Sequence, residues 1–253
     1  ATFTIEDTTA PVINCPSDIT AFTEGGVCGA IVNFQDAIAV EQCGSVVVSQ
    51  TSGLGSGSQF PVGESVIEFT AQDQCGNLST CVFIIQVIDD DIPEAICQNL
   101  TVILDVSGVA SITAAYIDNG SNDNCGVDTL EINIDTFDCS HVGDNTVILT
   151  VTDFSGNESS CSATVKVYDL LAPQIECPAN EIVNLDPDGT YTLGDYIGDG
   201  IATVTDNCSD PVTIFTQDPA PGTLLGLGIH VITFTAEDEY GNGSTCSFEL
   251  DVE

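Results

Sequence analysis

A cysteine-framed unit written three times constrains this chain more than any other feature. Its openings are Ala10-Pro11-Val12-Ile13-Asn14-Cys15-Pro16, Pro93-Glu94-Ala95-Ile96-Cys97 and Ala172-Pro173-Gln174-Ile175-Glu176-Cys177-Pro178, with the cysteines 82 and 80 residues apart. A cysteine after a polar pair follows in each: Glu41-Gln42-Cys43, Asp123-Asn124-Cys125 and Asp206-Asn207-Cys208. A glycine then stands ten residues before an aspartate, at Gly63 and Asp73, Gly143 and Asp153, Gly228 and Asp238, with an apolar-polar alternation between them. Alternation of period two marks a strand with one buried face. Each aspartate opens a Gly-Asn turn, the turn leads to a closing cysteine (Cys81, Cys161, Cys246), and a last strand follows. Glycine and asparagine tolerate the positive φ of a tight hairpin, and the aspartate can accept backbone N–H groups there.

Several short strands between Gly, Asn, Asp and Ser turns, with no amphipathic helix, predict an all-β fold of three tandem immunoglobulin-like β-sandwich repeats in an extended rod. The boundaries fall at 8–89, 90–169 and 170–253. Residues 1–7, Ala1-Thr2-Phe3-Thr4-Ile5-Glu6-Asp7, match Ala163-Thr164-Val165-Lys166-Val167-Tyr168-Asp169. They are expected to be the final strand of a preceding repeat, or a strand donated to a neighbouring subunit that would join copies into a filament. The links around Pro93 and Pro173 are short and stiffened by proline.

Sandwiches this small bury cores that supply only a few kcal/mol of net stability, so staples are expected. Twelve cysteines with no zinc-type spacing indicate an oxidising, extracellular, secreted or cell-surface setting. The recurring opening and closing cysteines predict the bonds Cys15–Cys81, Cys97–Cys161 and Cys177–Cys246. Cys125 with Cys139 is the expected second pair of the middle repeat. Cys28, Cys43 and Cys75 compete for one bond in the first, where Cys43 with Cys75 would bring the mid-repeat loop beside the Gly-Asn turn. Cys208 has no evident partner.

These residues resemble the hyalin repeat (HYR) family of immunoglobulin-like adhesion modules. The first repeat carries the resemblance in Ile13-Asn14-Cys15-Pro16, Val27-Cys28-Gly29-Ala30, Gln50-Thr51-Ser52-Gly53-Leu54, Phe60-Pro61-Val62-Gly63 and the Asp-x-x-Gly-Asn turn. The second, with Ile117-Asp118-Asn119-Gly120-Ser121-Asn122-Asp123-Asn124-Cys125-Gly126 and Phe137-Asp138-Cys139, is similar to a variant in large secreted surface proteins of gliding bacteria. The third departs in having no equivalent of Cys28 or Cys139. The resemblance implies pairing of Cys28 with Cys43, an adhesive role and no catalysis.

One lysine, no arginine and 39 acidic residues give a formal net charge of −38. Such a field repels nucleic acid and anionic lipid, and no apolar run is long enough to insert into a membrane. It attracts cations instead. Hard cations such as Ca2+ need six to eight oxygens, and three places offer that density. They are Asp89, Asp90 and Asp91 with Glu94; Asp118, Asn119, Asp123 and Asp128; and Asp186, Asp188, Asp199 and Asp206 with Asp195. The competing reading is that these carboxylates only solvate turns.

Catalysis is disfavoured. His141 and His230 occupy sister positions beside a strand-opening glycine, and Lys166 alone cannot build a cationic clamp for an oxyanion. The composition therefore points to a non-catalytic stalk whose partners are neighbouring repeats or subunits of the same array. A module whose loops bind surface glycans or proteins is the competing reading.

Overall fold

A computed structural model describes residues 6–253. The strand expected within residues 1–7 lies outside the described residues except for Glu6 and Asp7. The fold is all-β apart from one helical turn at Ala114–Ile117 and a short 3-10 turn at Cys139–His141. The chain divides into two compact units: Ala1–Cys97 with Asp118–Glu131 and Leu149–Cys161, and Gln98–Ile117 with Ile132–Ile148 and Ser162–Glu253.

In the first unit the alternating segment forms the strand Gly63–Asp73, hairpinned to Leu78–Ile88 with Gly63 opposite Val87 and Gln72 opposite Leu78. Val46–Ser52 pairs antiparallel on one side of the hairpin and Ile19–Phe22 runs parallel to Leu78–Ile88 on the other. Two smaller sheets, Val12–Asn14 with Ile38–Val40 and Ala30–Val32 with Ser58–Phe60, complete this segment. Period two places Ile67, Phe69 and Ala71 on one face, all buried, against Phe83, Ile85 and Val87 of the partner strand. Val32, Phe60 and Phe34 pack onto them, with Phe34 edge-on to Phe83 at 5.2 Å between ring centroids. Burying a side chain of this size contributes roughly 1.5–3 kcal/mol, so the buried Phe60, Phe69, Phe83, Ile67 and Ile85 are the main apolar contribution of this core.

The second unit repeats the plan. Gly228–Glu237 hairpins with Gly243–Val252, flanked by Ile214–Asp218 antiparallel and Glu181–Val183 parallel. Ile232, Phe234, Phe248 and Leu250 face Leu193, Tyr196 and Leu225. The same parallel pairing recurs where Leu100–Ile103 meets Glu158–Tyr168, with Leu100 opposite Val165. Each hairpin strand ends on a buried aspartate or leads into one. Asp73, Asp153 and Asp238 expose at most 6% of their surface, and the functional geometry begins from them.

Candidate functional site

Each of these aspartates is caged by its own turn. Asp73 Oδ1 accepts from the backbone N–H of Cys75 (2.8 Å) and of Asn77 (2.9 Å), and Oδ2 accepts from Asn77 Nδ2 (2.7 Å). Asp153 receives the same three bonds from Ser155 and Asn157, and Asp238 from Tyr240 and Asn242. The amide of Asn77 and the turn N–H groups hold Asp73 below the ordinary carboxylate value against a burial that works the other way. At Asp153 burial is the largest influence and raises the value, yet the bonds from Asn157, Ser155 and Gly156 together bring it down. The asparagine also reaches outward. Its Nδ2 donates to the backbone carbonyl of Asp7 (Asn77, 3.1 Å), Asp89 (Asn157, 3.2 Å) or Asp169 (Asn242, 3.3 Å). Asn157 and Asn242 thus each close a hairpin and grip the residue just after a strand, Leu78–Ile88 or Glu158–Tyr168.

The disulfides join the same regions. Cys15–Cys81, Cys97–Cys161 and Cys177–Cys246 are formed. The expected bond Cys125–Cys139 is not, and neither is Cys28–Cys43. Instead Cys28 pairs with Cys125 and Cys139 with Cys208, while Cys43 and Cys75 are free and exposed. The reason is local geometry. Asn124 Nδ2 donates to the carbonyl of Val27 (3.3 Å), and Asn207 Nδ2 to that of Asp105 (3.3 Å). Each Asp-Asn-Cys turn therefore faces a loop about 100 residues upstream; Cys125 meets Cys28 in that loop, 97 residues back, whereas Cys208 meets Cys139, 69 residues back. At the second joint the approach is close. A Cβ on Gly108 would lie 2.7 Å from Cys139 Sγ and 2.9 Å from the Asn207 carbonyl, and Gly108 has φ +71°.

Two clusters of potential ligands result, Asp89 with Asp123 and Cys125 in the first unit, and Asp169 with Asp206 and Asp238 in the second. In the first, Asp89 is fully engaged. Its Oδ1 shares the Thr23 hydroxyl with Asp91 Oδ2 (3.1 Å each) and accepts from the Asp91 N–H (3.3 Å), and its Oδ2 accepts from Ser155 Oγ (3.1 Å). Asp123 Oδ2 accepts from the N–H groups of Cys125 and Gly126, and Cys125 is a half-cystine. In the second, Asp169 Oδ1 accepts from Asn207 Nδ2 and the Leu171 N–H (3.1 Å each), and Asp206 Oδ2 from the N–H groups of Cys208 (2.9 Å) and Ser209 (2.7 Å). Asp169 Oδ2, Asp206 Oδ1 and Asn207 Oδ1 are sealed from solvent and have no partner among the described residues. Burial, with the carboxylates of Glu239, Asp169 and Asp238 after it, pushes the Tyr240 hydroxyl above its ordinary value.

The other acidic residues singled out in the sequence are dispersed. Asp90, Asp128, Asp186, Asp188, Asp195 and Asp199 are exposed, and Asp188 and Asp195 accept turn N–H groups from Thr190 and Gly198. Asp118 accepts from Gly120 and Ser121 in its own turn, and the Asn119 N–H donates to Ile96. Asp91 serves Asn124, and Glu94 accepts from Asn122. Of the expected ligands only Asp89, Asp123 and Asp206 enter a cluster. In the sequence Asp169 belongs to a link and Asp238 to a turn, and no local pattern relates them. Of the two histidines, His141 caps the 3-10 turn through Asp138 (2.8 Å) and His230 Nε2 lies 2.8 Å from the Gly226 carbonyl. Both are structural in these contacts.

Immunoglobulin-like sheets stapled by five disulfides define an extracellular β-sandwich protein, since such bonds persist only in oxidising compartments. No helix among the described residues is long and apolar enough to cross a membrane. The chain belongs to the HYR domain family, which it matches over residues 6–87 and 168–252. It is 28% identical over 268 residues to Hyalin of Lytechinus variegatus, spanning 99% of this chain and 49% of that protein. It is 30% identical over 255 residues to Hyalin of Strongylocentrotus purpuratus, spanning 98% of this chain and 21% of that protein. Both are animal proteins, whereas the resemblance of the middle segment pointed to bacterial ones. The chain thus spans half or less of the length of these relatives. Among solved structures it is similar to human CDH23 EC21-23, with a TM-score of 0.39 and 11% identity over 96% of this chain and 100% of that one. Its relatives are adhesion-type proteins.

Proposed function

We propose that the chain is a non-catalytic spacer in an extracellular adhesive array, made of three hyalin-type repeats at 8–89, 90–169 and 170–253 whose joints are locked so that they form an extended rod. The observation that carries this reading is the placement of the bonds Cys28–Cys125 and Cys139–Cys208, each tying a loop of one repeat to the mid-repeat turn of the next. A covalent brace alongside the peptide link leaves a joint two attachments instead of one, which removes most hinge freedom. In the chain-entropy model closing loops of 97 and 69 residues contributes about 4–5 kcal/mol each. A spacer needs its reach defined, and such braces define it. The acidic loops gathered at the same joints make Ca2+ the ligand this reading expects.

Cys43 favours a second element of the proposal. It stands where Cys125 and Cys208 stand in the later repeats, it is free, and Asn77 grips Asp7 as Asn157 grips Asp89. The face of the first repeat thus has the fittings of a further joint, and its partner is another repeat or subunit of the same kind. Small-angle scattering tests the reading directly. Cys28→Ser/Cys125→Ser and Cys139→Ser/Cys208→Ser should each broaden the distribution of end-to-end distances while leaving the hairpin cores folded. Profiles indistinguishable from the parent would overturn it.

A further inference from the structure

We propose that Asp169, Asp206 and Asp238 form a binding site for one hard divalent cation, Ca2+ by its chemistry, and that the equivalent joint in the first unit does not. The proposal deepens the reading of the joints given above and rests on it only for the extracellular setting, where calcium is abundant. One oxygen or ligand atom from each carboxylate lies within 4.8 Å of the other two. Two oxygens on opposite sides of a calcium ion at ordinary bond lengths are about 5 Å apart, so the three carboxylates stand within reach of one ion.

Burial supplies the second, independent observation. Asp169 and Asp238 are each 3% exposed. Asp169 Oδ2 and Asp206 Oδ1 are closed to solvent and accept no hydrogen bond, while their sister oxygens are occupied by N–H donors that fix each carboxylate's orientation. Asp238 is held from its own turn through Tyr240 and Asn242, which leaves a lone pair on Oδ2. Asn207 Oδ1 is a further sealed, unpartnered oxygen on the residue that contacts Asp169. Buried carboxylates with unmet oxygens cost several kcal/mol each unless a cation compensates them. No side chain can do so. The chain has no arginine, and its one lysine, Lys166, holds its ammonium 5.1 Å from the ring centre of Tyr168.

The donor set also selects the ion. Every donor is oxygen, and the nearest sulfurs belong to the Cys139–Cys208 bond, so no thiolate is present to favour zinc. A groove of about 260 Å3, lined by Val106, Leu171, Gln174, Asp206 and Asn207, opens beside the cluster and gives an ion and its remaining waters a way in. The first joint differs at three places. Asn124 Oδ1 is sealed and unpartnered as Asn207 Oδ1 is, but Thr23 and Ser155 bring hydroxyls to Asp89, and Asp91 stands where the second joint has Leu171, so the Asp89 carboxylate is left with no open oxygen.

The test is calorimetric titration of CaCl2 into EDTA-stripped full-length chain. The expected result is one Ca2+ per chain, weakened more than roughly tenfold by Asp169→Asn or Asp206→Asn and unchanged by Asp123→Asn. Asn at 206 keeps an oxygen for the Cys208 and Ser209 N–H groups, so the turn survives. Tb3+ luminescence on the parent chain gives a readout that needs no ligand substitution. Tyr240 is the sensitiser beside the site, and Tyr240→Phe should cut the emission several-fold while the calcium heat persists. No heat up to about 10 mM Ca2+, parent-like binding in both Asp→Asn variants, equal loss in Asp123→Asn, or emission indifferent to Tyr240→Phe would each overturn the site. None of these outcomes bears on scattering from the disulfide variants, so the spacer reading stands or falls separately.

Discussion

Asp89 and Asp169 close equivalent strands, are gripped through their carbonyls by equivalent asparagines, and lie beside equivalent disulfides, yet their carboxylates live in opposite circumstances. Around Asp89 the chain supplies its own donors, the hydroxyls of Thr23 and Ser155 and the N–H of Asp91. Around Asp169 the Leu171 N–H and Asn207 Nδ2 donate to one oxygen, but Leu104 and Tyr240 stand where Thr23 and Ser155 do, and the other oxygen is left bare. A few differences at equivalent geometry thus separate a carboxylate met by protein donors from one that keeps an unmet oxygen. The comparison teaches that the backbone frame and its covalent brace define a joint, while the donors around one carboxylate decide whether it has a ligand.

Removing the braces should give the largest effect. Cys139→Ser/Cys208→Ser is expected to lower unfolding free energy by about 4 kcal/mol in urea titration, and Cys28→Ser/Cys125→Ser by a similar amount, which would show that the two frames are equivalent. The loops against the braces should not behave alike. Gly108→Ala, whose Cβ would meet Cys139 Sγ and the Asn207 carbonyl, should cost about 2–3 kcal/mol in the same titration. Gly26→Ala, at φ +83° in open space, should cost about 1 kcal/mol.

Converting one joint toward the other is a subtler change. Thr23→Val with Ser155→Ala removes both hydroxyls from Asp89 and should cost about 1–3 kcal/mol without calcium, with part of the loss restored by added Ca2+ in thermal melts. Acid tests the turns. Asp73 and Asp153 have folded values lowered from the ordinary 3.8, so each adds stability above that pH and loses it as pH falls through the depressed value. Melting temperature should therefore fall between neutral pH and pH 3, and Asp153→Asn should flatten part of that dependence. The smallest effect belongs to the free thiols. Cys43→Ser and Cys75→Ser should each change stability by less than about 0.5 kcal/mol, and iodoacetamide should add two groups to the folded parent chain by mass.

The hairpins were legible in the sequence because their signal is local. Alternation across Gly63–Asp73 and Gly228–Glu237 and the Asp-x-x-Gly-Asn turns fit within a dozen residues. Strands of two or three residues, such as Tyr191–Thr192 and Leu224–Leu225, carry too few side chains to show a period. The second set of disulfides was hidden for a different reason. Spacing within a repeat favours the nearby partner, so Cys125 was matched with Cys139. Offsetting the match by one repeat pairs Cys28 with Cys125 and Cys139 with Cys208 and also explains why the third repeat keeps its mid-repeat cysteine without a companion. Dense acid in the sequence placed Asp206 with Asp186, Asp188 and Asp199, whereas the carboxylates that meet come singly from 169, 206 and 238. The Asp89-Asp90-Asp91 run, conspicuous in sequence, sends one residue inward and another to solvent.

The bonds Cys15–Cys81, Cys97–Cys161 and Cys177–Cys246 have a mechanical consequence. In each segment the early strand lies parallel to the last one, so tension along the chain loads that pairing in shear, with its hydrogen bonds sharing the force. Should a sandwich yield, the pull passes through sulfur from residue 15 to 81, 97 to 161 and 177 to 246, sequence separations of 66, 64 and 69, and the chain between them stays out of the line of force. Only the short links Cys81–Cys97 and Cys161–Cys177 can pay out. A chain so cross-linked has almost no hidden length to release under load.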